Sequence, residues 1–253
     1  MGFLCLLVYG VIDAIKVNSN RTTIRMTDIL RKKEKFFGRR KGRPLGDQTV
    51  QLIESTLPKF KIEIEDKEII NPVDIFSASY ESFALEIGFG GGEHLADQAH
   101  KNPLVGYIGV EVFLNGVASL LCHVERDKID NIRIFPDDVR PLLAKLKDQS
   151  LMQIYVLFPD PWPKARHHKR RIIQKERISV FARLLQKGGT LCMATDVPGY
   201  LEWMQDIMSA SKDFQRRHVY TTDTKPESWI ETRYEEKARQ KGRSSTYLIY
   251  ERI

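Results

Sequence analysis

From Ser82 onward the chain alternates short apolar runs with amphipathic stretches, and this alternation does most to restrict what it can fold into. Strands are expected at Phe83–Ile87, Val105–Glu111, Ile132–Phe135, Gln153–Phe158 and Thr190–Thr195. Helices are expected at Glu93–His100, Leu114–Glu125, Val139–Lys147, Arg171–Gln186 and Tyr200–Ser209. In the fourth of these helices Ile173, Val180, Phe181 and Leu184 share a face opposite the charges, and Gly188-Gly189 reads as its stop. Such alternation implies an α/β fold, a mostly parallel sheet with helices on both faces. Thr246–Tyr250 reads as a last strand, paired antiparallel near an edge. In open sheets of this kind ligands bind beyond the carboxyl ends of the strands, so chemistry is sought there.

A chain of 253 residues with 42% apolar content can bury a core without metal or disulfide staples. Its three cysteines (Cys5, Cys122, Cys192) are far apart and lack C-x-x-C spacing, which disfavours a zinc site and fits a reducing, cytoplasmic setting. The net charge of +7 is uneven. Arg21 to Arg43 holds ten Lys/Arg against two acids, and Pro163 to Arg177 holds seven against one, so the remainder is acidic. Two concentrated basic patches point to a polyanionic partner, with a pair of solvated basic faces as the alternative.

Phe3 to Ile12 is an apolar run too short to span a bilayer, and it lacks the flanks of a signal peptide. A peripheral membrane contact, a packed helix, and sequence upstream of a true start at Met26 all remain open, the last favoured. Three segments are therefore expected: an unmatched extension at 1–25, a basic flexible arm at 26–50, and a single catalytic domain at 51–253.

The first strand runs into Glu86-Ile87-Gly88-Phe89-Gly90-Gly91-Gly92-Glu93. Glycines at 88, 90 and 92 allow a tight turn and close approach to a ligand. The spacing departs from the dinucleotide fingerprint, and Glu93 at the helix start would oppose a bound phosphate. Glu86 suits a cationic amine, Glu111 can bind ribose hydroxyls, and Asp138 can reach an adenine amino group. These acids indicate S-adenosylmethionine; a structural glycine turn and a nicotinamide dinucleotide are the alternatives.

The fourth strand ends in Phe158-Pro159-Asp160-Pro161-Trp162-Pro163-Lys164. Three prolines stiffen this loop and can hold Asp160 in one place, as a transfer reaction needs. Trp162 either packs under the loop or stacks on a base. The run Lys164, Arg166, His167, His168, Lys169, Arg170 and Arg171 follows at once. A fixed carboxylate joined to a phosphate-binding segment suggests a nucleic-acid acceptor. Adjacent histidines without a Cys partner or i,i+4 spacing do not read as a metal site.

With these motifs in view, the chain resembles the bacterial tRNA (guanine-N7-)-methyltransferase family over about residues 27–253. The resemblance rests on LEIGFGGGEH (85–94), GVEVFLNGV (109–117), LFPDPWPKARHHKRRI (157–172), ATD (194–196) and TRYEEKARQKG (232–242). It implies a Rossmann-like class I methyltransferase fold with a seven-stranded sheet. The implied activity is methyl transfer from S-adenosylmethionine to guanine N7 of tRNA, at the variable-loop guanine. By the same resemblance Glu86, Glu111, Asp138 and Asp160 contact the cofactor or the transfer centre, with Asp160 as the catalytic residue; Gly88, Gly90 and Gly92 join the cofactor-binding set from the reading of the loop. Lys164, Asp196, Thr232, Arg233, Tyr234 and Glu235 engage the substrate. Thr224-Lys225-Pro226-Glu227 is a decoy for the last motif, with proline in place of the aromatic residue.

Arg166, Lys169, Arg170 and Arg171 are expected to contact RNA phosphates. No metal and no membrane partner are expected, and monomer and homodimer both stay open. Three rivals remain: a small-molecule or protein methyltransferase, a non-catalytic RNA-binding protein, and a nicotinamide dehydrogenase.

Overall fold

The structure, a computed structural model, describes Gly38, Arg40 and residues 42–253 apart from Ser228. The 1–25 extension and most of the 26–50 arm lie outside the described residues. Seven strands form one sheet: β1 (Ser82–Ile87), β2 (Val105–Val110), β3 (Ile132–Phe135), β4 (Leu151–Leu157), β5 (Leu185–Thr195), β6 (Phe214–Thr221) and β7 (Thr246–Arg252). Their order is β3-β2-β1-β4-β5-β7-β6. Pairings are parallel from β3 through β5, and β7 runs antiparallel to both neighbours.

The mostly parallel α/β sheet is as expected, and so is the closing strand, β7, paired antiparallel near an edge. The difference is the edge itself, β6, which is absent from the sequence reading. Strand β6 (FQRRHVYT) buries only Phe214, because an edge strand covered on neither face needs no apolar alternation.

Among the described residues seven α-helices accompany the sheet: α1 (Asp47–Phe60), α2 (Glu93–Lys101), α3 (Leu114–Asp127), α4 (Val139–Lys145), α5 (Lys175–Leu184), α6 (Pro198–Ser209) and α7 (Arg233–Gln240). Alternate strand residues face opposite sides of the sheet. Ala84, Tyr107, Ile132 and Ile134 meet Leu95 of α2 and Leu120, Leu121 and Val124 of α3. Leu85, Ile87, Ile108 and Val110 meet Leu142 of α4, Phe181 of α5 and Tyr200 and Met204 of α6 on the other side.

Helix α1 begins inside the segment expected to be a flexible arm. Its Leu52, Ile53, Leu57 and Phe60 pack against the core, and Thr56 Oγ1 donates to Glu125 Oε1 at 2.8 Å. Just before it, Gly42 N donates to Asn115 Oδ1 at 2.8 Å and Asn115 Nδ2 donates to the Arg43 carbonyl at 3.0 Å. The last part of the arm is thus docked on the start of α3.

The fourth expected helix is shorter than its pattern suggested. Ala165–Arg170 form a 3-10 turn, α5 starts at Lys175, and it ends at Leu184 rather than at the glycine pair. Leu185 is already extended, buried and paired with Leu151. Gly188-Gly189 instead accommodate a bulge, where the register passes from Leu151↔Leu185 to Gln153↔Thr190.

Candidate active site

The strand order reverses between β1 and β4, so the loops after these two strands border the crevice where an open α/β sheet binds its ligand. The cleft there is lined by Glu86, Gly88, Glu93, Phe158, Thr232 and Tyr234, among others.

On the β1 side, Gly88, Gly90 and Gly92 all adopt positive φ, and Gly92 (φ 82°) caps α2. Glu111 follows β2 and is 9% exposed. Its Oε2 accepts from Gly90 N at 2.8 Å and its Oε1 from Phe113 N at 2.8 Å, so one carboxylate ties the glycine loop to the start of α3. Burial raises the Glu111 pKa, against the lowering effect of these backbone donors, and the Asp160 charge adds to the rise. Glu86 is 3% exposed, and its Oε2 meets His94 Nδ1 at 2.7 Å. His94 was not singled out from the sequence; its position on the first turn of α2, facing the end of β1, was the available signal.

Asp138 caps α4 by accepting from Arg140 N and also binds the Arg140 guanidinium. Burial pushes its pKa up, but Arg140 overrides this and holds it below the ordinary value. An adenine amino group would therefore share this carboxylate with Arg140.

On the β4 side the loop begins with Phe158, whose N donates to the Ala194 carbonyl at 2.9 Å. Phe158 (φ 50°) and Trp162 (φ 41°) both sit in the left-handed region, which non-glycine residues rarely occupy. Strain of this kind persists only where surroundings over-determine it. Asp160 lies between them at the open rim, and the protein packed around it removes enough water to raise its pKa.

Trp162 does not lie open for a base: the Arg170 guanidinium stands 4.9 Å from its ring and His167 meets it edge-on. Lys164, Arg166 and Lys169 are exposed. Arg171 corrects the expectation of a phosphate contact. It is 4% exposed, its Nε donates to the Pro161 carbonyl at 2.8 Å, and its guanidinium lies against Tyr200 and Trp203.

The third wall is the carboxyl-terminal segment. Thr232 is 6% exposed and caps α7, its Oγ1 accepting from Glu235 N at 3.2 Å. Tyr234 reaches across to Gly90, where an added Cβ would stand 2.9 Å from its ring, and it lies nearly parallel to Phe158 at 6.5 Å. Burial and the nearby Glu111, Asp160 and Glu93 carboxylates raise the Tyr234 pKa. Arg233 points to the exposed side.

Glu235 is 1% exposed; its Oε2 accepts from Lys225 Nζ at 2.6 Å and from the Tyr247 hydroxyl at 2.9 Å. Its Oε1 is buried with no hydrogen-bond partner among the described residues. The Thr224–Glu227 motif therefore contributes Lys225 as the counter-ion of Glu235 in the 232–235 motif. Asp196 pairs with Arg243 at 2.7 Å, a partner ten residues beyond Arg233 that the sequence reading missed.

Among the described residues no helix is long and apolar enough to cross a membrane, and no group of three His, Cys, Asp or Glu could hold a metal.

Comparison with known proteins agrees with this geometry. A family model described as "Putative methyltransferase" matches residues 80–248. The chain is similar to the tRNA (guanine-N(7)-)-methyltransferase of Rhodospirillum rubrum, 44% identical over 223 residues covering 86% of this chain and 88% of that protein. It is equally similar to the enzyme of the same name from Agrobacterium fabrum, 44% identical over 219 residues covering 86% and 94%. The crystal structure of the 16S rRNA methyltransferase KamB shares the fold, with a TM-score of 0.53 at 13% identity over 69% of this chain and 90% of that one. The family-model match runs from just before the glycine loop into the closing strand and so takes in every wall of the cleft. The chain belongs to the tRNA (guanine-N(7)-)-methyltransferase family.

Proposed function

We propose that this protein transfers a methyl group from S-adenosylmethionine to N7 of a guanine in tRNA, in the variable loop. The observation that carries the reading is the meeting, at one switch-point cleft, of buried carboxylates on the β1 and β2 side with a proline-locked Asp160. That aspartate is continuous with the exposed cations Lys164, Arg166 and Lys169.

The donor set fits a cationic nucleoside better than a diphosphate. Glu93 occupies the first turn of α2 and folds its carboxylate back over Gly91, where a helix amino terminus would otherwise attract phosphate. An added Cβ at Gly88 would meet nothing within 4 Å, so the loop leaves open space beside Glu86. Bound there, S-adenosylmethionine supplies an electrophilic methyl on a sulfonium centre.

Guanine N7 carries an in-plane lone pair that is unprotonated near neutral pH, so no residue has to act as a general base. Positive charge develops on the purine ring as N7 is alkylated. Asp160 accepts from guanine N–H donors and stands as a fixed anion beside that charge. Glu111 binds the ribose hydroxyls with the lone pairs its backbone donors leave free. Thr232 and Asp196 grip the base or its ribose, and Tyr234 closes the cleft over the glycine loop. The exposed cations hold the phosphates of a folded RNA, from which the target base is drawn out of its stack.

Nucleoside mass spectrometry of unmodified tRNA incubated with the protein and labelled methyl donor tests this directly. The expected product is labelled 7-methylguanosine. Label on another atom, or on protein instead of RNA, refutes the reading.

A further inference from the structure

Arg171 closes the basic run in sequence, yet it is the member of that run that the fold turns inward. Its guanidinium carbon lies 4.8 Å from the Tyr200 ring centre and 4.9 Å from that of Trp203. Both aromatic residues belong to α6, and both are themselves tied to the chain just after Arg171. Trp203 Nε1 donates to the Ile173 carbonyl at 2.8 Å, and the Tyr200 hydroxyl accepts from Ile173 N at 3.5 Å. The Arg171 Nε bond to the Pro161 carbonyl then links this buried platform to the residue next to Asp160.

We propose that Arg171 is a positioning residue for the methyl-transfer step, holding the Pro161 carbonyl so that Asp160 stays in register with the cleft. This rests on the function proposed above.

The loop needs such a tie. Pro159, Pro161 and Pro163 offer no N–H with which to anchor it. Its first residue is fixed by the Phe158 bond to β5, and its middle by Arg171. Between these anchors Asp160 is bracketed by two residues in the left-handed region, so releasing one anchor lets the strained segment relax. Arginine suits the task because its planar face can lie on two rings while its edge donates. A lysine keeps the charge but has no such face. Exposed neighbours such as Lys169 lie outside this platform and stay available to phosphate.

The test compares wild type with Arg171→Lys, using full-length protein, unmodified tRNA and S-adenosylmethionine. Melting temperature, cofactor Kd, the salt dependence of tRNA binding and the single-turnover rate at saturating substrates are read together. A displacement of the loop by about 1 Å costs on the order of 100-fold in rate. The expected result is therefore a fall of that size in single-turnover rate, with cofactor Kd and the salt slope within twofold of wild type. A salt slope lowered by about one would make Arg171 a phosphate contact and overturn the proposal. A single-turnover rate within threefold of wild type would also overturn it.

Should Arg171→Lys not fold, Trp203→Phe is read in the same way. It thins the platform and leaves Arg171 in place, so about a tenfold loss is expected and a wild-type rate counts against the proposal. Wild type failing to methylate guanine N7 would defeat the proposed function itself, which separates the two failures.

Discussion

Gly116 offers a test in which two ordinary rules predict opposite signs. It lies in the first turn of α3, where glycine to alanine normally favours the helix by about 0.8–1.0 kcal/mol. Here an added Cβ would stand less than 3.0 Å from the Gly90 carbonyl oxygen, 3.1 Å from its carbonyl carbon and 3.3 Å from Glu111 Cγ. The obstacle is backbone, and Gly90 is itself held by the 2.8 Å bond from its N–H to Glu111, so little can yield cheaply. Overpacking of this kind costs about 1–3 kcal/mol, and a backbone obstacle puts it at the upper end. Subtracting the helix gain leaves Gly116→Ala destabilised by about 2 kcal/mol, or roughly 4–8 °C in melting temperature for a chain of this size.

The displaced glycine loop should also weaken S-adenosylmethionine binding by about tenfold, equivalent to about 1.4 kcal/mol. Gly199→Ala in α6 is the control: its Cβ would meet nothing within 4 Å, so a gain of about 0.4–1 kcal/mol is expected. Thermal melts and titration calorimetry read both variants. If Gly116→Ala melts at or above wild type and binds the cofactor normally, the close approach of α3 to the glycine loop does not shape the site.

Asp160→Asn keeps the side chain's size and removes its charge, and single-turnover transfer should fall by at least about 100-fold; a rate near wild type removes Asp160 from catalysis. Burial raises the pKa of both Asp160 and Glu111, so each takes up a proton at a higher pH than an unperturbed carboxyl of its kind. The rate should therefore fall on the acid side before the ordinary Asp and Glu values are reached, whereas a rate that stays flat down to those values contradicts the placement of both groups.

In the free protein the same shift means that Glu111 favours folding most below its unfolded pKa and less as pH rises through the folded one. Lys225→Ala strips the counter-ion from the buried Glu235, a change worth about 3–5 kcal/mol. Hydrogen exchange in α7 should rise sharply, and unchanged protection there would make the pair dispensable. Replacing both Arg166 and Lys169 by alanine should reduce the salt slope of tRNA binding by about 0.7–0.9 per lost phosphate contact, and an unchanged slope would make that patch a solvated face.

The elements that carried the sheet's centre were legible because β1 and β2 are buried on both faces and β4 is buried on one and partly covered on the other. β1, β2 and β4 read as unbroken or nearly unbroken apolar runs, and each terminates at a residue type that marks the cleft. β6 was not legible, since its side chains answer to solvent and its pairing is dictated by β7 alone. Helix α1 carried a readable apolar stripe, but the basic composition just before it overshadowed the change at Gly46-Asp47. Within the site, residue types at strand ends marked where Glu86, Glu111 and Asp160 would lie. What they could not reveal was which cations point outward. Arg170 and Arg171 are neighbours of the same type in one run, yet the first lies half-buried against Trp162 of its own loop, while the aromatic surfaces of α6, distant in sequence, draw the second fully inside.

Under the proposed function, that difference bears on how one cleft would accept both a cationic donor and a polyanionic acceptor. Glu86 and Glu111 are buried, so bulk ions screen them little, and their fields act on what enters the cleft. Lys164, Arg166 and Lys169 are exposed, where ionic strength shapes their pull on phosphates. Moving the acids outward would repel RNA, and moving the cations inward would repel a sulfonium. Asp160 stands at the boundary, partly desolvated yet open at the rim, and so can face donor and acceptor at once. An anion in that position is useful only if it does not move. In the proposed mechanism the prolines, the two strained backbone positions and the inward-turned arginine would all serve that one requirement.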